Sequence, residues 1–165
     1  MDLSYRREPE YLKFEQFYGA DIIGIDGDQG AGKTTDLARQ FQQALNGKVF
    51  DMDAYLELSS DKRPYLEKLD LHKAKQDIDL NSNTPKIIVG VLLLDVLAAL
   101  GIKQDILVFA KLIKNGIWPY QHLIGRNNQL TRCDLTREIA AYYNRQKPWE
   151  RAALTTTLFL STNYR

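Results

Sequence analysis

Short apolar runs alternate along the chain with longer segments in which apolar residues recur every three or four positions. An unbroken apolar run is typical of a strand buried on both faces, whereas the longer spacing is typical of an amphipathic helix. The candidate strands lie at residues 20–27, 48–52, 86–94, 104–113 and 154–161. The helical segments between them lie at residues 33–45, in part of 53–75, at 95–100 and at 136–146. This alternation predicts the α/β class, as a three-layer α/β/α sandwich around a parallel sheet of about five strands.

The N-terminal segment has a helical pattern of its own. Pro9 suits a first helical position, leucine and aromatic side chains follow at helical spacing, and Gly19 is a stop signal. We therefore expect residues 1–19 to form a helical extension of a single domain that spans residues 1–165. A chain of 165 residues is long enough to bury the core of one such domain.

The most specific motif lies between the first strand and the first helix. Residues 27–34 read GDQGAGKT, which matches the phosphate-loop pattern of Gly, four residues and Gly-Lys-Thr. Small residues let backbone N–H groups point at a phosphate, and the helix that begins near Lys33 adds the positive end of its dipole. We expect Lys33 to reach the β- and γ-phosphates of a nucleoside triphosphate and Thr34 to ligate Mg²⁺. The predicted binding residues are Gly27, Asp28, Gln29, Gly30, Ala31, Gly32, Lys33, Thr34 and Thr35.

Two acidic residues, Asp51 and Asp53, follow the second candidate strand. The carboxyl ends of parallel strands face the ligand crevice, so we expect both carboxylates near the phosphate loop. Asp53 is the candidate base for an attacking hydroxyl, and Asp51 is the candidate metal ligand beside Thr34. The alternative for both residues is that they cap the strand end or are simply solvated acids.

Taken in order, these blocks resemble the uridine kinase-like group of P-loop kinases. The resemblance rests on IIGIDGDQGAGKTT, VFDMDAYLE, IIVGVLLLDVL and DILVFAKLI, and on REIAAYYNRQKPWERA for the helix beyond a flexible lid. It covers most of the chain from Asp21 to Ala152, and it implies the strand order 2-3-1-4-5 and transfer of a γ-phosphoryl group to a hydroxyl of a small molecule. The Asp-x-Asp after the second strand is also similar to shikimate kinase-like enzymes, so it does not identify the acceptor, which we expect to be nucleoside-like or sugar-like.

The resemblance also implies roles for single residues. Asp53 falls where such kinases place the catalytic aspartate, and Tyr55 falls where an aromatic side chain often lines the acceptor pocket. Arg63 lies between the second and third strands, where these folds admit the acceptor. Val89 departs from the pattern, because these chains commonly have an acidic residue just before the Gly of this block. That departure puts part of the metal shell in doubt, and Asp51 is the candidate to replace the missing acid.

Four arginines and two tyrosines lie in the segment 126–145. Phosphoryl transfer spreads negative charge that a guanidinium from a closing lid stabilises, and Arg132 and Arg137 are the catalytic candidates because they flank the start of the helix. The alternative is that these arginines are solvated or paired with acids. Tyr142 and Tyr143 are expected in the core, with stacking on a base as their alternative role.

Composition narrows the classes of protein. With 22 basic and 21 acidic residues the net charge is +1, which does not favour a nucleic-acid partner. The apolar stretch 87–100 contains Asp95 and is too short for a membrane span. Cys133 is the only cysteine, so an intramolecular disulfide is impossible and a cytoplasmic location fits.

These observations lead to one expected activity and one alternative. We expect an enzyme that uses ATP and Mg²⁺ to phosphorylate a small molecule. The alternative is a nucleotide-binding regulatory module with little or no turnover. A GTPase-type switch is disfavoured, because the chain lacks an Asn-Lys-x-Asp motif for reading guanine.

Overall fold

A mixed sheet forms the middle of the molecule. The computed structural model describes residues 3–7, 13–57, 62–125 and 134–162, and within them the sheet has six strands in the order β1-β6-β5-β2-β4-β3. The strands are β1 (Leu3–Arg7), β2 (Ile22–Gly27), β3 (Lys48–Asp51), β4 (Lys86–Val89), β5 (Ile106–Lys114) and β6 (Leu154–Thr162). Strands β2 to β6 are parallel to one another, and their order confirms the predicted 2-3-1-4-5 arrangement.

Helices connect the parallel strands, as expected for right-handed crossovers. They are α1 (Ala38–Leu45), α2 (Leu71–Asp79), α3 (Leu93–Leu100), α4 (Asp134–Gln146) and the short α5 (Pro148–Arg151). A wide π-helical turn, Lys33–Leu37, leads directly into α1. The 3₁₀ turns of the described residues lie at Phe14–Phe17, Met52–Tyr55 and Tyr65–Lys68. None of the described helices is long and apolar enough to cross a membrane.

Apolar clusters on both faces of the sheet create the three layers. Phe41 of α1 shares one buried cluster with Ile23 of β2. Leu97 of α3 and Tyr143 of α4 share the other with Phe109 of β5. Because alternate strand residues point to opposite faces, a parallel strand covered on both sides is apolar almost throughout. The predicted α/β/α sandwich is therefore confirmed.

The N-terminal prediction of a helical extension is wrong for the residues that can be compared. Leu3–Arg7 forms β1, antiparallel to β6, and only Phe14–Phe17 is helical, as a single 3₁₀ turn. Residues 8–12 lie outside the described part of the chain. Pairing with β1 satisfies backbone groups that the edge of β6 would otherwise leave open. The aromatic spacing reflects packing of this turn, since the rings of Phe17 and Phe41 are 4.8 Å apart.

Candidate functional site

The phosphate loop leaves the sheet at the end of β2, where only glycine fits. Gly27 has a φ of 140°, and a Cβ atom there would lie 2.0 Å from the carbonyl oxygen of Ala110 in β5. The backbone N–H of Asp28 donates a 2.9 Å hydrogen bond to the same oxygen. The loop thus begins pressed against β5 and then runs into the helical turn that starts at Lys33.

The side chain of Lys33 hydrogen-bonds to the backbone of the phosphate loop itself. Its side chain is buried, and its Nζ donates hydrogen bonds of 3.0 Å to the carbonyl oxygen of Gly27 and 2.6 Å to that of Asp28. Two of the three ammonium donors are therefore held by the loop's own backbone. Burial lowers the pKa of Lys33, and nearby carboxylates, Asp26 first among them, oppose that shift. The ammonium group is thus held in place by the backbone of the loop.

Thr34 and the two acids at the end of β3 lie together, as predicted. The Thr34 hydroxyl donates a 2.9 Å hydrogen bond to Asp51 Oδ2, and the other carboxylate oxygen accepts one of 3.1 Å from the backbone N–H of Asp53. The cavity beside them has a volume of about 250 Å³. It is lined by Gln29, Gly30, Ala31, Gly32, Lys33, Thr34, Thr35, Asp51, Asp53, Val89, Gly90 and Val91.

The hydroxyl of Thr34 and the carboxylate of Asp51 suit Mg²⁺, which usually keeps several water ligands, better than a metal whose ligands all come from the protein. Mg²⁺ binds oxygen ligands at about 2.1 Å in an octahedron, so that neighbouring ligand oxygens are about 2.9 Å apart. The oxygens of Thr34 and Asp51 have that separation. In the described part of the chain, no group of three or more His, Cys, Asp or Glu side chains could hold a metal ion. One hydroxyl and one carboxylate, completed by water and phosphate oxygens, is a usual arrangement for Mg²⁺.

Val89 occupies the position where the resemblance led us to look for an acid. It ends β4, is fully buried, lines the cavity, and is paired in register with Ile25 on one side and Asp51 on the other. Asp51 is therefore the carboxylate on the strand adjacent to this position. This placement is consistent with Asp51 replacing the missing acid.

Tyr65 hydrogen-bonds to the candidate base, Asp53. Its hydroxyl donates a 2.6 Å hydrogen bond to Asp53 Oδ1, and its backbone N–H donates a 2.8 Å bond to Glu138 Oε2 of α4. Burial, together with the hydrogen bond and charge of Asp53, raises the pKa of Tyr65 well above its ordinary value, so the phenol remains a donor. Tyr65 lies beside Arg63 in a segment that the sequence marked only by position. Nothing in the local pattern predicts its contact with Asp53.

Three further predicted residues, Tyr55, Arg63 and Arg137, are not among the residues that line the cavity. The hydroxyl of Tyr55 donates to Asp77, and Arg63 is paired with Glu57 at 2.7 Å. Arg137 is an exposed residue of α4. Arg132 lies outside the described residues. The roles assigned to these four residues stay predictions.

Two buried carboxylates flank Gly27, and sequence reasoning missed their partners. Asp26 accepts hydrogen bonds from the Tyr142 hydroxyl and, at 2.7 Å, from the backbone N–H of Gly27. Asp28 accepts from the Tyr143 hydroxyl at 2.6 Å and from Trp118 Nε1 at 2.8 Å. Both tyrosines are buried as predicted. The available signal was two acids on either side of a loop glycine, which by itself does not identify partners in α4.

Together, the strand order and the loop that follows β2 define an α/β fold of the P-loop class. No protein-family model matches the sequence, and no curated protein matches it. Among solved structures, a possible uridine kinase from Bacillus stearothermophilus is 19% identical with a TM-score of 0.48, covering 81% of this chain and 86% of that one. Shikimate kinase from Acinetobacter baumannii in complex with shikimate is 16% identical with a TM-score of 0.45, covering 92% and 88%. At these values, activity has to be argued from the chain's own residues.

Proposed function

We propose that the protein is an ATP-dependent phosphotransferase that moves the γ-phosphoryl group to a hydroxyl of a nucleoside-like or sugar-like small molecule. One observation carries the proposal. The phosphate loop, Thr34, Asp51 and Asp53 line the same cavity, so that an anion-binding loop, a candidate metal site and a candidate base face one space. Phosphoryl transfer depends mainly on such positioning and on electrostatic stabilisation.

The loop side of the cavity would hold the triphosphate. Backbone N–H groups of the loop and the ammonium group of Lys33 would bind the β- and γ-phosphates. Thr34 and Asp51 would hold Mg²⁺, which when bound neutralises charge on the phosphate oxygens. Lys33 would keep its place throughout, because the carbonyl oxygens of Gly27 and Asp28 already orient it.

The Asp53 side would bind and activate the acceptor. An acceptor hydroxyl would attack the γ-phosphorus in line, forming one O–P bond while the bond to the β-phosphate oxygen breaks and ADP leaves. The hydroxyl proton would pass to the carboxylate of Asp53. Since Tyr65 occupies Oδ1, the Oδ2 atom is the one we assign to the acceptor.

The test is release of ADP from Mg·ATP against a panel of nucleosides, sugars and small hydroxy acids. We expect acceptor-dependent release that is lost in Lys33→Ala and falls at least a hundredfold in Asp53→Asn. Full activity in Asp53→Asn would show that Asp53 is not the base. Release that is equal in the wild-type protein and Lys33→Ala would overturn the proposal.

A regulatory module that binds nucleotide without turnover is the second candidate. Val89 favours it, because an apolar side chain lies in the cavity where a further carboxylate would complete a metal shell. Calorimetric titration with Mg·ATP separates the two functions. Tight binding combined with no ADP release for any acceptor would establish the module.

A further inference from the structure

Two consecutive tyrosines of α4 bond the residues on either side of Gly27, where the phosphate loop begins. The Tyr142 hydroxyl bonds Asp26, and the Tyr143 hydroxyl bonds Asp28, so that α4 holds the residues on both sides of Gly27. The side chains around Asp28 are buried, including Trp118 at 9% exposure. These contacts join positions more than a hundred residues apart in the chain.

Buried carboxylates beside an anion-binding loop need a physical reason. A negative charge there opposes the binding of a polyanion and costs desolvation energy unless donors compensate it. Burial raises the pKa of Asp28, and hydrogen bonds from Tyr143, the backbone N–H of Leu112 and Trp118 oppose the shift, in that order. The Asp28 carboxylate thus depends on three donors, one of which comes from α4.

We propose that Tyr143 is a positioning residue for the triphosphate, acting through Asp28. The inference rests on the proposed function. By donating to Asp28 Oδ1, the Tyr143 hydroxyl neutralises part of a buried charge and fixes the residue whose carbonyl oxygen holds Lys33. The phenol is a permanent donor, because burial and the carboxylate charges raise its pKa far above neutrality.

Loss of this hydroxyl would weaken phosphate binding in two ways. At an assay pH at which Asp28 stays ionised, its carboxylate would extend more negative charge toward the bound phosphates and would attract the Lys33 ammonium group away from them. The phenyl ring of Tyr143→Phe keeps the aromatic packing, including the edge contact with Phe109 at 5.7 Å. The expected effect therefore falls on triphosphate affinity, while the acceptor side that Asp53 defines is unaffected.

The test is a double-mutant cycle on Mg·ATP affinity by calorimetry, with thermal unfolding measured for every variant. We expect Tyr143→Phe to weaken binding about tenfold in the wild-type background. In Asp28→Asn, where the charge is gone and the amide oxygen still accepts from Leu112 and Trp118, we expect Tyr143→Phe to weaken binding by less than about threefold.

Asn144→Ala is the matched control. Asn144 is the next residue of α4, and its amide accepts from the backbone N–H of Gly125 at 2.6 Å and donates to the carbonyl oxygen of Leu123 at 3.2 Å. This variant removes contacts of the same helix but none with the phosphate loop. Its Mg·ATP affinity should therefore stay within about twofold of the wild-type value.

The outcomes separate the inference from the function beneath it. Wild-type protein that binds no Mg·ATP would overturn both. Wild-type binding with equal losses for Tyr143→Phe in the two backgrounds, or with none in either, would overturn the role of Tyr143 alone. A loss in Asn144→Ala equal to that in Tyr143→Phe would do the same, because it would attribute the effect to general loosening of α4.

Discussion

At the scale of single residues, Asp26 is an ionisable group that the fold removes entirely from water. Burial raises its pKa from 3.8 to about 6, against the opposing hydrogen bonds from Tyr142 and Gly27. The unfolded chain therefore loses this proton at a lower pH than the folded protein does. The raised pKa of Asp26 therefore adds to the free energy of unfolding; this contribution is complete below pH 3.8 and is lost as pH rises through about 6. The full shift corresponds to roughly 3 kcal/mol.

This predicts a pH dependence that Asp26→Asn removes. Other carboxylates also titrate in this range, so the quantity to compare is the difference in free energy of unfolding between the wild-type protein and Asp26→Asn, measured with urea at about pH 4 and about pH 7. Relative to Asp26→Asn, we expect the wild-type protein to lose roughly 2–3 kcal/mol of unfolding free energy between about pH 4 and about pH 7. A difference that stays constant with pH would mean that Asp26 ionises normally in the folded state.

A second prediction at this scale concerns Gly27. In Gly27→Ala the new methyl group would collide with the backbone of Ala110, which cannot move without breaking the β2–β5 pairing. We expect a loss of at least about 4 kcal/mol, or failure to fold. Gly101→Ala is the control, because its φ is also positive, at 65°, while a methyl group there would meet no atom within 4 Å beyond its own part of the chain. It should cost only about 1 kcal/mol in urea unfolding.

If both alanine variants lost the same free energy, positive φ alone would explain the requirement at Gly27. The close approach of the loop to β5 would then contribute nothing. A larger loss at Gly27 would report the collision with Ala110 together with the more restrictive φ of 140°.

At the scale of elements, the parallel strands and the helices between them follow from periodicity, because each buries its apolar residues locally. The phosphate loop was equally predictable, since its spacing fixes both the turn and the helix that follows. β1 was not predictable, because Leu3–Arg7 has no apolar run and becomes a strand only through pairing with β6 at the far end of the chain. The hydroxyl contacts of Tyr142 and Tyr143 were missed for a related reason: helical spacing shows that a side chain is buried, but not which distant group it meets.

The packing of α4 on α3 gives a prediction for these elements. Asp95, in the first turn of α3, accepts hydrogen bonds from Arg145 and, at 2.9 Å, from Gln146 of α4. Asp95→Ala removes both contacts and a favourable charge at a helix start, so we expect a loss of about 1–2 kcal/mol in urea unfolding. The half-exposed Arg145 keeps the value modest.

Asp79→Ala is the matched control for this pair. Asp79 is bonded to Lys75 at 2.7 Å within α2, with both side chains substantially exposed, and it lies at the end of the helix, where an acid is unfavourable. We expect its replacement to change stability by less than about 0.5 kcal/mol. Equal effects at Asp95 and Asp79 would show that the contact between α3 and α4 adds nothing beyond a surface ion pair.

At the scale of the whole molecule, the cavity joins residues from two strands, β3 and β4, and from the loop that follows a third, β2. Lys33 and Thr34 come after β2, Asp51 ends β3, and Val89 ends β4. A ligand that spans these elements would bind the folded protein and have no site in the unfolded chain. Its binding must therefore raise the temperature of unfolding.

We expect Mg·ATP to stabilise the wild-type protein against heat. At about a hundred times its dissociation constant, a ligand adds about 2.7 kcal/mol, which for a domain of this size corresponds to a rise in Tm of roughly 5–10 °C. Chelation of Mg²⁺ should remove much of the rise, because Thr34 and Asp51 would then face the phosphates without a cation between them. Lys33→Ala should show little rise at the same ATP concentration. A rise of equal size in Lys33→Ala would place the nucleotide away from the phosphate loop, since the ammonium group held by Gly27 and Asp28 could not then be part of its site.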